Sequence, residues 1–349
     1  MSEPLNIMII GAGTGGLCLA HGLRADGIAA EVFERDRSSE DQRPGYRLSI
    51  SATGSAALRD CLPAARYRKL VARSADPSTG VTFLDYQLDM LLRIDFQHVD
   101  CQDHDAERPV SCTALRRILL EGLDETVRLG TKFQSFEDGP GGTVVAHFAD
   151  GSSVRGTLLV SAEGPSSHVG SQLLPQARRI ETGIVAVGGK VPLSEATRSS
   201  VPEPILTGPT PILGPKGCFP VKTSVPVDPR PTRNVTLLGD ALHNMTVGAN
   251  TALRDMAALH RSLAAVNRGE AEFLPALAAY ERDMVDWVRR SAHLTRRHGA
   301  ISRGRAAFTH DHQSNVSARQ SHSSLAGHVP RRTMMAAPEV RTSRHVHGT

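Results

Sequence analysis

Glycines near the N-terminus have the spacing at which a backbone can bind phosphate. Residues 11–16 read Gly-Ala-Gly-Thr-Gly-Gly and match the pattern G-x-G-x-x-G. The first glycine permits a sharp turn, the second leaves room for a pyrophosphate, and the last lets a helix pack closely on a strand. The free N–H groups and the dipole at that helix's start favour an anion. The candidate residues are Gly11, Gly13, Thr14, Gly15 and Gly16.

The segments around this loop indicate what kind of phosphate compound it binds. Residues 5–10 form a continuous apolar run, which is typical of a strand covered on both faces. A helical segment and a second strand follow, and Glu34 ends that strand 18 residues after Gly16. A carboxylate at this place can accept hydrogen bonds from both ribose hydroxyls, and Arg35 beside it is a further candidate. The βαβ unit predicts a Rossmann-type α/β fold that binds an adenine dinucleotide, either NAD or FAD.

The remaining segments predict more strands and helices. Residues 52–70 and 113–123 have helical patterns, and alternating segments between 126 and 160 predict antiparallel strands that lead to a buried strand at 158–160. Residues 182–230 are rich in proline, glycine, valine and isoleucine, which predicts a second sheet-containing region with little helix. A strand at 235–238 and two helices follow, and the second helix carries a core-packing stripe.

Three later segments add to this pattern. They are Gly-Tyr-Arg-Leu-Ser-Ile at 45–50, Leu-Val-Ser-Ala-Glu-Gly at 159–164 with Ser167 and Val169, and Val-Thr-Leu-Leu-Gly-Asp-Ala-Leu-His at 235–243 with its continuation through 248–255. They resemble segments of the class A flavoprotein monooxygenases, the para-hydroxybenzoate hydroxylase group. Together with the glycine loop, they occur in the family's order over residues 5–290. The resemblance implies that the dinucleotide is FAD.

The resemblance also implies roles for individual residues. Arg47 would approach the flavin and its phosphates, and Asp240 would hold the ribityl chain. Gly248, Ala249 and Asn250 would begin a helix whose N-terminus points at the flavin. NAD(P)H would act as a transient co-substrate, and O2 would supply the oxygen that hydroxylates or epoxidises a small aromatic or polyketide-like substrate. No catalytic residue is predicted.

The predicted organisation places FAD-binding segments on both sides of a substrate region. The predicted fold is a Rossmann-type FAD-binding domain with an interleaved, shortened sheet-containing substrate region and C-terminal helices. Its parts are a first FAD-binding region at 1–180, the substrate-covering region at 181–230, the Gly-Asp motif with C-terminal helices at 231–298, and a disordered basic tail at 299–349.

Departures from the family pattern leave two alternatives open. Cys112 stands where the family commonly has an FAD-contacting arginine, and Glu163 replaces the aspartate of its Asp-Gly motif. The family's Pro-x-x-Gly is missing before Gly248. These differences keep open a catalytically impaired FAD-binding homologue and, as a further alternative, an NAD-dependent dehydrogenase.

Composition excludes several other classes of protein. The 349 residues are 40% hydrophobic and contain no apolar run long enough to span a membrane. The five cysteines have no paired spacing, so we expect no metal site, no disulfide framework and a cytoplasmic location. From residue 299 onward the chain has seven arginines against two acids but hardly any aromatic residues, so we expect no nucleic-acid partner.

Overall fold

The computed structural model describes residues 4–38, 47–75, 78–96, 107–176, 194–213, 234–241 and 248–302, with side chains as far as residue 287. All of these residues belong to one compact unit, Met1–Arg305. The predicted tail beyond residue 302 and the segments between the described ranges lie outside this description.

Strands and helices alternate through the described ranges. In chain order, the strands are β1 (Asn6–Ile10), β2 (Ala29–Glu34), β3 (Arg47–Ile50), β4 (Gly80–Asp85), β5 (Met90–Asp95), β6 (Arg108–Ser111), β7 (Val127–Leu129), β8 (Phe133–Asp138), β9 (Val144–Phe148), β10 (Ser153–Gly156), β11 (Leu158–Ser161), β12 (Ile212–Leu213) and β13 (Val235–Leu237). The helices are α1 (Thr14–Ala25), α2 (Ala52–Cys61), α3 (Ala64–Arg73), α4 (Cys112–Leu120), α5 (His168–Leu173), α6 (Glu195–Ser200), α7 (Glu203–Thr207), α8 (Gly248–Asn267) and α9 (Phe273–Ser302).

A parallel sheet with the strand order β13-β11-β1-β2-β7 forms the centre of the molecule. Every neighbouring pair in it is parallel, so the carboxyl ends of all five strands lie at one edge. The loops that follow β1, β2, β11 and β13 therefore meet at that edge, where open α/β sheets bind their ligands. The prediction of a Rossmann-type α/β fold is confirmed.

The sheet is covered on both faces, as the continuous apolar run of β1 predicts. Ile7 and Ile9 pack into one hydrophobic cluster with α1, α2, α4 and α8, whereas Met8 and Ile10 pack into another. Successive residues of a strand point to opposite faces, so both faces of β1 must be apolar. The second cluster lies between the parallel sheet and the antiparallel sheet β10-β9-β8.

The antiparallel strands predicted between residues 126 and 160 are present as β8, β9 and β10, which lead into the buried strand β11. β7 is the exception, because it pairs in parallel with β2 and extends the central sheet. A three-residue strand carries too little alternation to reveal its partner, and its pairing depends on where β2 ends.

The prediction of little helix at 182–230 is wrong for part of the described residues, because α6 and α7 lie there. Both helices are too short to show an apolar period. A capping box at the start of α6 is the local signal: the Ser194 and Thr197 side chains bond each other's backbone N–H groups. After α7, β12 pairs with β4 and joins residues 212–213 to the sheet β12-β4-β5.

The C-terminal helices pack against the central sheet as predicted. Leu277, Tyr280 and Met284 of α9 are buried, and the Tyr280 hydroxyl donates a hydrogen bond to the Leu237 carbonyl at 2.9 Å. α9 continues to Ser302, slightly beyond the boundary predicted at 298. Among the helices that the structure describes, none combines the length and hydrophobicity that a bilayer crossing requires.

Candidate active site

The turn after β1 needs two of its glycines for purely structural reasons. Gly11 has a φ of 107°, and a Cβ on it would lie 2.5 Å from the Ala162 carbonyl oxygen. A Cβ on Gly16 would collide with the Gly11 carbonyl oxygen. Any side chain at either place would push β1, β11 and α1 apart. These two glycines therefore fix the shape of the loop.

Gly13 is different, because the folded chain itself does not require a glycine there. Its φ of −78° and ψ of −180° suit any residue. A Cβ on Gly13 would meet, among the described residues, only the Ala162 carbonyl oxygen, at an ordinary 3.7 Å. Gly13 precedes the first turn of α1, and no side chain caps that helix start. The open space beside uncapped N–H groups fits a pyrophosphate that approaches from outside the chain.

Glu34 is buried at the end of β2 and is held by two backbone N–H groups. Oε2 accepts a hydrogen bond from the Ala12 N–H at 2.7 Å, and Oε1 accepts one from the Asp36 N–H at 3.0 Å. A carboxylate has about four acceptor positions, so ribose hydroxyls can still be bound. The side chain of Arg35 is 64% exposed, and its Nε lies 3.9 Å from the Asp36 carboxylate.

A cleft of about 170 Å³ opens in front of these residues. It contains the glycine loop, the end of β2 and the turns that follow β7 and β11. Its lining includes Gly11 and Gly13 of the glycine loop and side chains of both charge signs, among them Glu34, Arg35, Lys132 and His168.

The carboxylate of Glu163, at the place of the family's aspartate, accepts hydrogen bonds from the chain itself. Its Oε2 accepts hydrogen bonds from the Ser167 hydroxyl at 2.8 Å, the Val169 N–H at 3.0 Å and the Ser161 hydroxyl at 3.1 Å. The carboxylate thus satisfies donors at the start of α5 and ties that helix to the end of β11. Its contacts indicate a structural role for this residue.

Asp240 lies three residues after the end of β13, in a 3-10 turn, Gly239–Ala241, and is half-buried. Leu238, just before this turn, packs against the glycine loop, since a Cβ on Gly15 would lie 2.5 Å from Leu238 Cδ2. The Gly239 N–H donates to the carboxylate of Asp255, a fully buried residue of α8, at 3.3 Å. The structure therefore brings the Gly-Asp turn to the same edge as the predicted pyrophosphate loop.

The first turn of α8 contains Gly248, Ala249 and Asn250, as the resemblance implies. The Asn250 side chain accepts a hydrogen bond from the Ser51 N–H and donates one to the Ser49 carbonyl, both at 2.8 Å. Its amide thus joins α8 to β3, the strand that begins at Arg47.

Some predicted features lie outside the described residues. They are the Arg47 side chain, residues 45–46 and the turn at 242–247, which includes His243. Cys112, at the place of the family's arginine, is the first residue of α4 and is partly exposed. Contact of any of the predicted site residues with a ligand stays a prediction.

Sequence reasoning missed Arg116, a buried arginine of α4. Its Nε donates to the Ala12 carbonyl at 3.3 Å, and Nη2 lies 3.7 Å from Glu34 Oε2. The available signal was an arginine one turn after Cys112 and three residues before the buried Leu119, on the core-facing side of the helix.

Comparison with protein families identifies one that covers more than half of the chain. Residues 5–202 match the FAD binding domain family. The match includes the glycine loop, Glu34, Arg47 and Glu163, and it ends before β13 and Asp240.

Individual relatives are FAD-dependent monooxygenases by name. A dual O-methyltransferase/FAD-dependent monooxygenase of Phaeosphaeria nodorum is 37% identical over 193 residues, which are 54% of this chain and 21% of that protein. The FAD-dependent monooxygenase nscC of Arthroderma otae is 28% identical over 320 residues, 84% of this chain and 75% of that protein. The chain thus spans only about a fifth of the Phaeosphaeria relative.

Solved structures share the fold over most of the chain. A Photorhabdus luminescens protein assigned as an FAD-containing monooxygenase superposes with a TM-score of 0.73 at 25% identity, covering 84% of this chain and 97% of that one. HpxO of Klebsiella pneumoniae, crystallised with FAD, superposes with a TM-score of 0.63 at 18% identity, covering 90% and 93% of the two chains.

Proposed function

We propose, from the premise that the chain belongs to the FAD-binding domain family, that it is an FAD-dependent monooxygenase. It would use NAD(P)H and O2 to hydroxylate or epoxidise a small aromatic or polyketide-like substrate. The names of its relatives support this activity, although the chain covers only 21% of the length of one of them. Bound FAD would accept a hydride from NAD(P)H and supply the oxygen chemistry, so the chain's task is to bind and orient the FAD and the substrate and to shield them from water.

The observation that carries the proposal is the space at Gly13, which the chain leaves open beside the uncapped start of α1. The N–H groups there would bind the pyrophosphate, and Glu34 would accept hydrogen bonds from the ribose. Asp240 would bind the ribityl hydroxyls, and the first turn of α8 would direct its N–H groups at the flavin. Arg47 is the further candidate for a phosphate contact.

The exposed apolar side chains of the sheet β12-β4-β5 support a small hydrophobic substrate. Met90, Leu92 and Ile94 are exposed on one face of β5, and Leu91 is exposed on the other. Ile212 and Leu213 of β12 are exposed too, on opposite faces of the sheet. Exposed apolar surface on a monomer commonly marks a binding site. We propose that this sheet contributes to the surface that covers the substrate, together with the predicted region at 181–230.

We also propose that the protein works in the cytoplasm and has a small molecule, not a nucleic acid, as its partner. Cys18 and Cys61 are buried and are not joined in a disulfide, which suits a reducing compartment. The described cleft is lined by charges of both signs, including Glu34, Asp36 and Glu163, whereas a nucleic-acid surface is predominantly basic.

The test starts with FAD binding by the full chain. Purified protein is saturated with FAD and dialysed, and its flavin content is compared with that of Glu34→Ala and Glu31→Ala. Loss of the charged ribose contact in Glu34→Ala should weaken binding by about 1.5–3 kcal/mol. Glu31 lies on the same strand but pairs with Arg128 at the surface, so Glu31→Ala is the matched control and should retain flavin. Equal flavin in both variants would remove Glu34 from the site.

The second step measures NAD(P)H oxidation in ¹⁸O2 with a panel of phenols and hydroxyanthraquinones. Substrate-stimulated oxidation with one ¹⁸O atom in the product supports the monooxygenase. Bound flavin that yields only hydrogen peroxide would favour the catalytically impaired homologue. Cys112 at the start of α4, in place of the family's arginine, is the feature that supports this alternative. A colourless protein that binds NAD tightly would overturn the proposal.

A further inference from the structure

Arg116 is a buried cation that faces two carboxylates without a hydrogen bond to either among the described residues. Its side chain is 8% exposed, and Nη1 and Nη2 have no hydrogen-bond partner in the described part of the chain. The ion-pair distances are 3.7 Å from Nη2 to Glu34 and 3.9 Å from Nη1 to Asp36. A buried guanidinium is costly unless nearby charges compensate it, and these two carboxylates supply that compensation.

The Ala12 peptide lies between Arg116 and Glu34. Arg116 Nε donates to the Ala12 carbonyl at 3.3 Å, and the Ala12 N–H donates to Glu34 Oε2 at 2.7 Å. The guanidinium thus contacts the glycine loop by a hydrogen bond and the Glu34 carboxylate by charge. A shift of Arg116 would move the loop and the carboxylate together.

Arg116 acts from behind the cleft. The cleft is lined by Glu34, Arg35 and Asp36 but not by Arg116. Direct contact with a nucleotide in this cleft would therefore be made by Glu34, while Arg116 supports Glu34 from α4. Asp36 is the second acid near the guanidinium, and without a cation between them the two carboxylates would repel each other.

We propose that Arg116 is a positioning residue that holds Glu34 where it accepts a hydrogen bond from the 2′-hydroxyl of an adenine ribonucleotide. This inference rests on the proposed binding of FAD, whose adenosine half contains that ribose. It predicts that discrimination between a ribonucleotide and its 2′-deoxy form depends on a residue outside the cleft.

The experiment is calorimetric titration of the flavin-free full chain with ADP and with 2′-deoxy-ADP. The parent should prefer ADP by about tenfold or more, as expected for one hydrogen bond to a charged group. Arg116→Met keeps the length of the side chain without its charge and should reduce that preference to less than about threefold. Arg117→Met is the matched control, because Arg117 is the exposed neighbour on the same helix, and it should retain the parent preference.

A purely structural role for Arg116 gives a different result. In that case Arg116→Met would weaken ADP and 2′-deoxy-ADP by the same factor, and the unchanged preference would overturn the proposal. If Arg116→Met fails to fold, Arg116→Lys is the variant that tests the proposal. Its single ammonium should give a preference for ADP over 2′-deoxy-ADP that is weaker than in the parent but still above one, the value for equal affinities. A parent-like preference in Arg116→Lys with misfolded Arg116→Met would overturn the proposal.

Failure of this inference can be told apart from failure of the proposed function. The titration needs neither flavin reduction nor oxygen, so a parent that makes only hydrogen peroxide can still support the role of Arg116. A parent that binds no ADP, or that binds ADP and 2′-deoxy-ADP equally, overturns it.

Discussion

At the scale of single residues, Gly13 separates the requirements of folding from those of binding. Its backbone conformation and its surroundings leave room for a methyl group. A pyrophosphate bound beside the start of α1 would collide with that methyl group. Gly13→Ala should therefore leave the free energy of unfolding within about 1 kcal/mol of the parent value, because alanine restricts the unfolded chain but is a poorer N-cap residue for α1 than glycine. The same change should weaken FAD by about tenfold or more through steric exclusion.

Two measurements check this prediction: denaturant unfolding of the flavin-free chain and FAD titration by fluorescence. A variant that folds normally and binds FAD as tightly as the parent would show that the pyrophosphate lies elsewhere. A variant that is destabilised by clearly more than about 1 kcal/mol would show that the loop conformation itself needs the glycine.

The sequence predicts that some residues lie close together and misses other contacts, for a physical reason. The glycine loop and Glu34 belong to one βαβ unit, so local spacing is enough to place them together. Arg116 contacts Ala12 across 104 positions, and Asn250 contacts Ser51 across 199. Such side-chain contacts depend on the packing of distant helices, which no local pattern encodes.

At the scale of elements, the contact between α8 and the turn after β13 depends on a glycine. Gly239 has a φ of 58°, and a Cβ on it would lie 2.6 Å from Ala252 Cβ. Gly269 has a φ of 74°, and a Cβ on it would meet no atom of the described residues within 4 Å, so Gly269→Ala is a control for backbone strain alone. Gly269→Ala should cost about 1–2 kcal/mol, and Gly239→Ala should cost about 1–3 kcal/mol more because α8 must move.

Chemical denaturation of both variants measures the difference. Equal destabilisation of the two would show that α8 yields to the extra methyl without loss, and that the packing of Ala252 on this turn is looser than the structure indicates.

A buried histidine links α1 to α4 and should make this contact sensitive to pH. Burial lowers the pKa of His21 from its ordinary value of 6.5. Nε2 lies 2.8 Å from the Leu119 carbonyl, and Nδ1 lies 3.2 Å from an Arg66 nitrogen. The neutral ring can donate at Nε2 and accept at Nδ1, whereas the charged ring would face another cation.

The sign of the effect follows from this lowered pKa. The stability contributed by neutral His21 is present above the unfolded-state pKa and is lost as the pH falls through the folded-state pKa. Between about pH 7.5 and about pH 5, the parent should therefore lose more unfolding free energy than His21→Gln does. His147→Gln, at a partly exposed strand position, should follow the parent. Equal losses in the parent and His21→Gln would refute this role.

Elements were predictable where a period extends over enough residues. The stripe of α9 and the apolar run of β1 are of this kind, and both are buried as expected. The two helices within 52–70 are separated at Pro63, which precedes the first residue of α3. By contrast, α6 and α7 have only six and five residues, which is too short for an apolar period. Only the capping residues at their ends can predict helices of this length.

At the scale of the whole molecule, the predicted tail should be dispensable for stability. The compact unit that contains all described residues ends at Arg305. Residues 306–349 are rich in serine, arginine and histidine and have no periodic apolar face. Removal of 306–349 should therefore change the melting temperature by no more than a few degrees. Differential scanning calorimetry of the full and shortened chains tests this, and a large decrease would mean that the tail packs on the body.

The order of strands in the central sheet also has a consequence for biosynthesis. β1 and β2 are synthesised before the other strands of this sheet, but the other neighbour of β1 is β11, and β11 pairs in turn with β13 at Val235–Leu237. Because such distant pairing makes folding slow, the nascent chain carries an apolar, half-paired sheet through most of its synthesis. The region proposed for adenosine is complete long before the one proposed for the flavin ring. A ribosome that pauses before residue 235 would therefore expose a partial nucleotide pocket, and chaperones would have to protect the uncovered edge of β11.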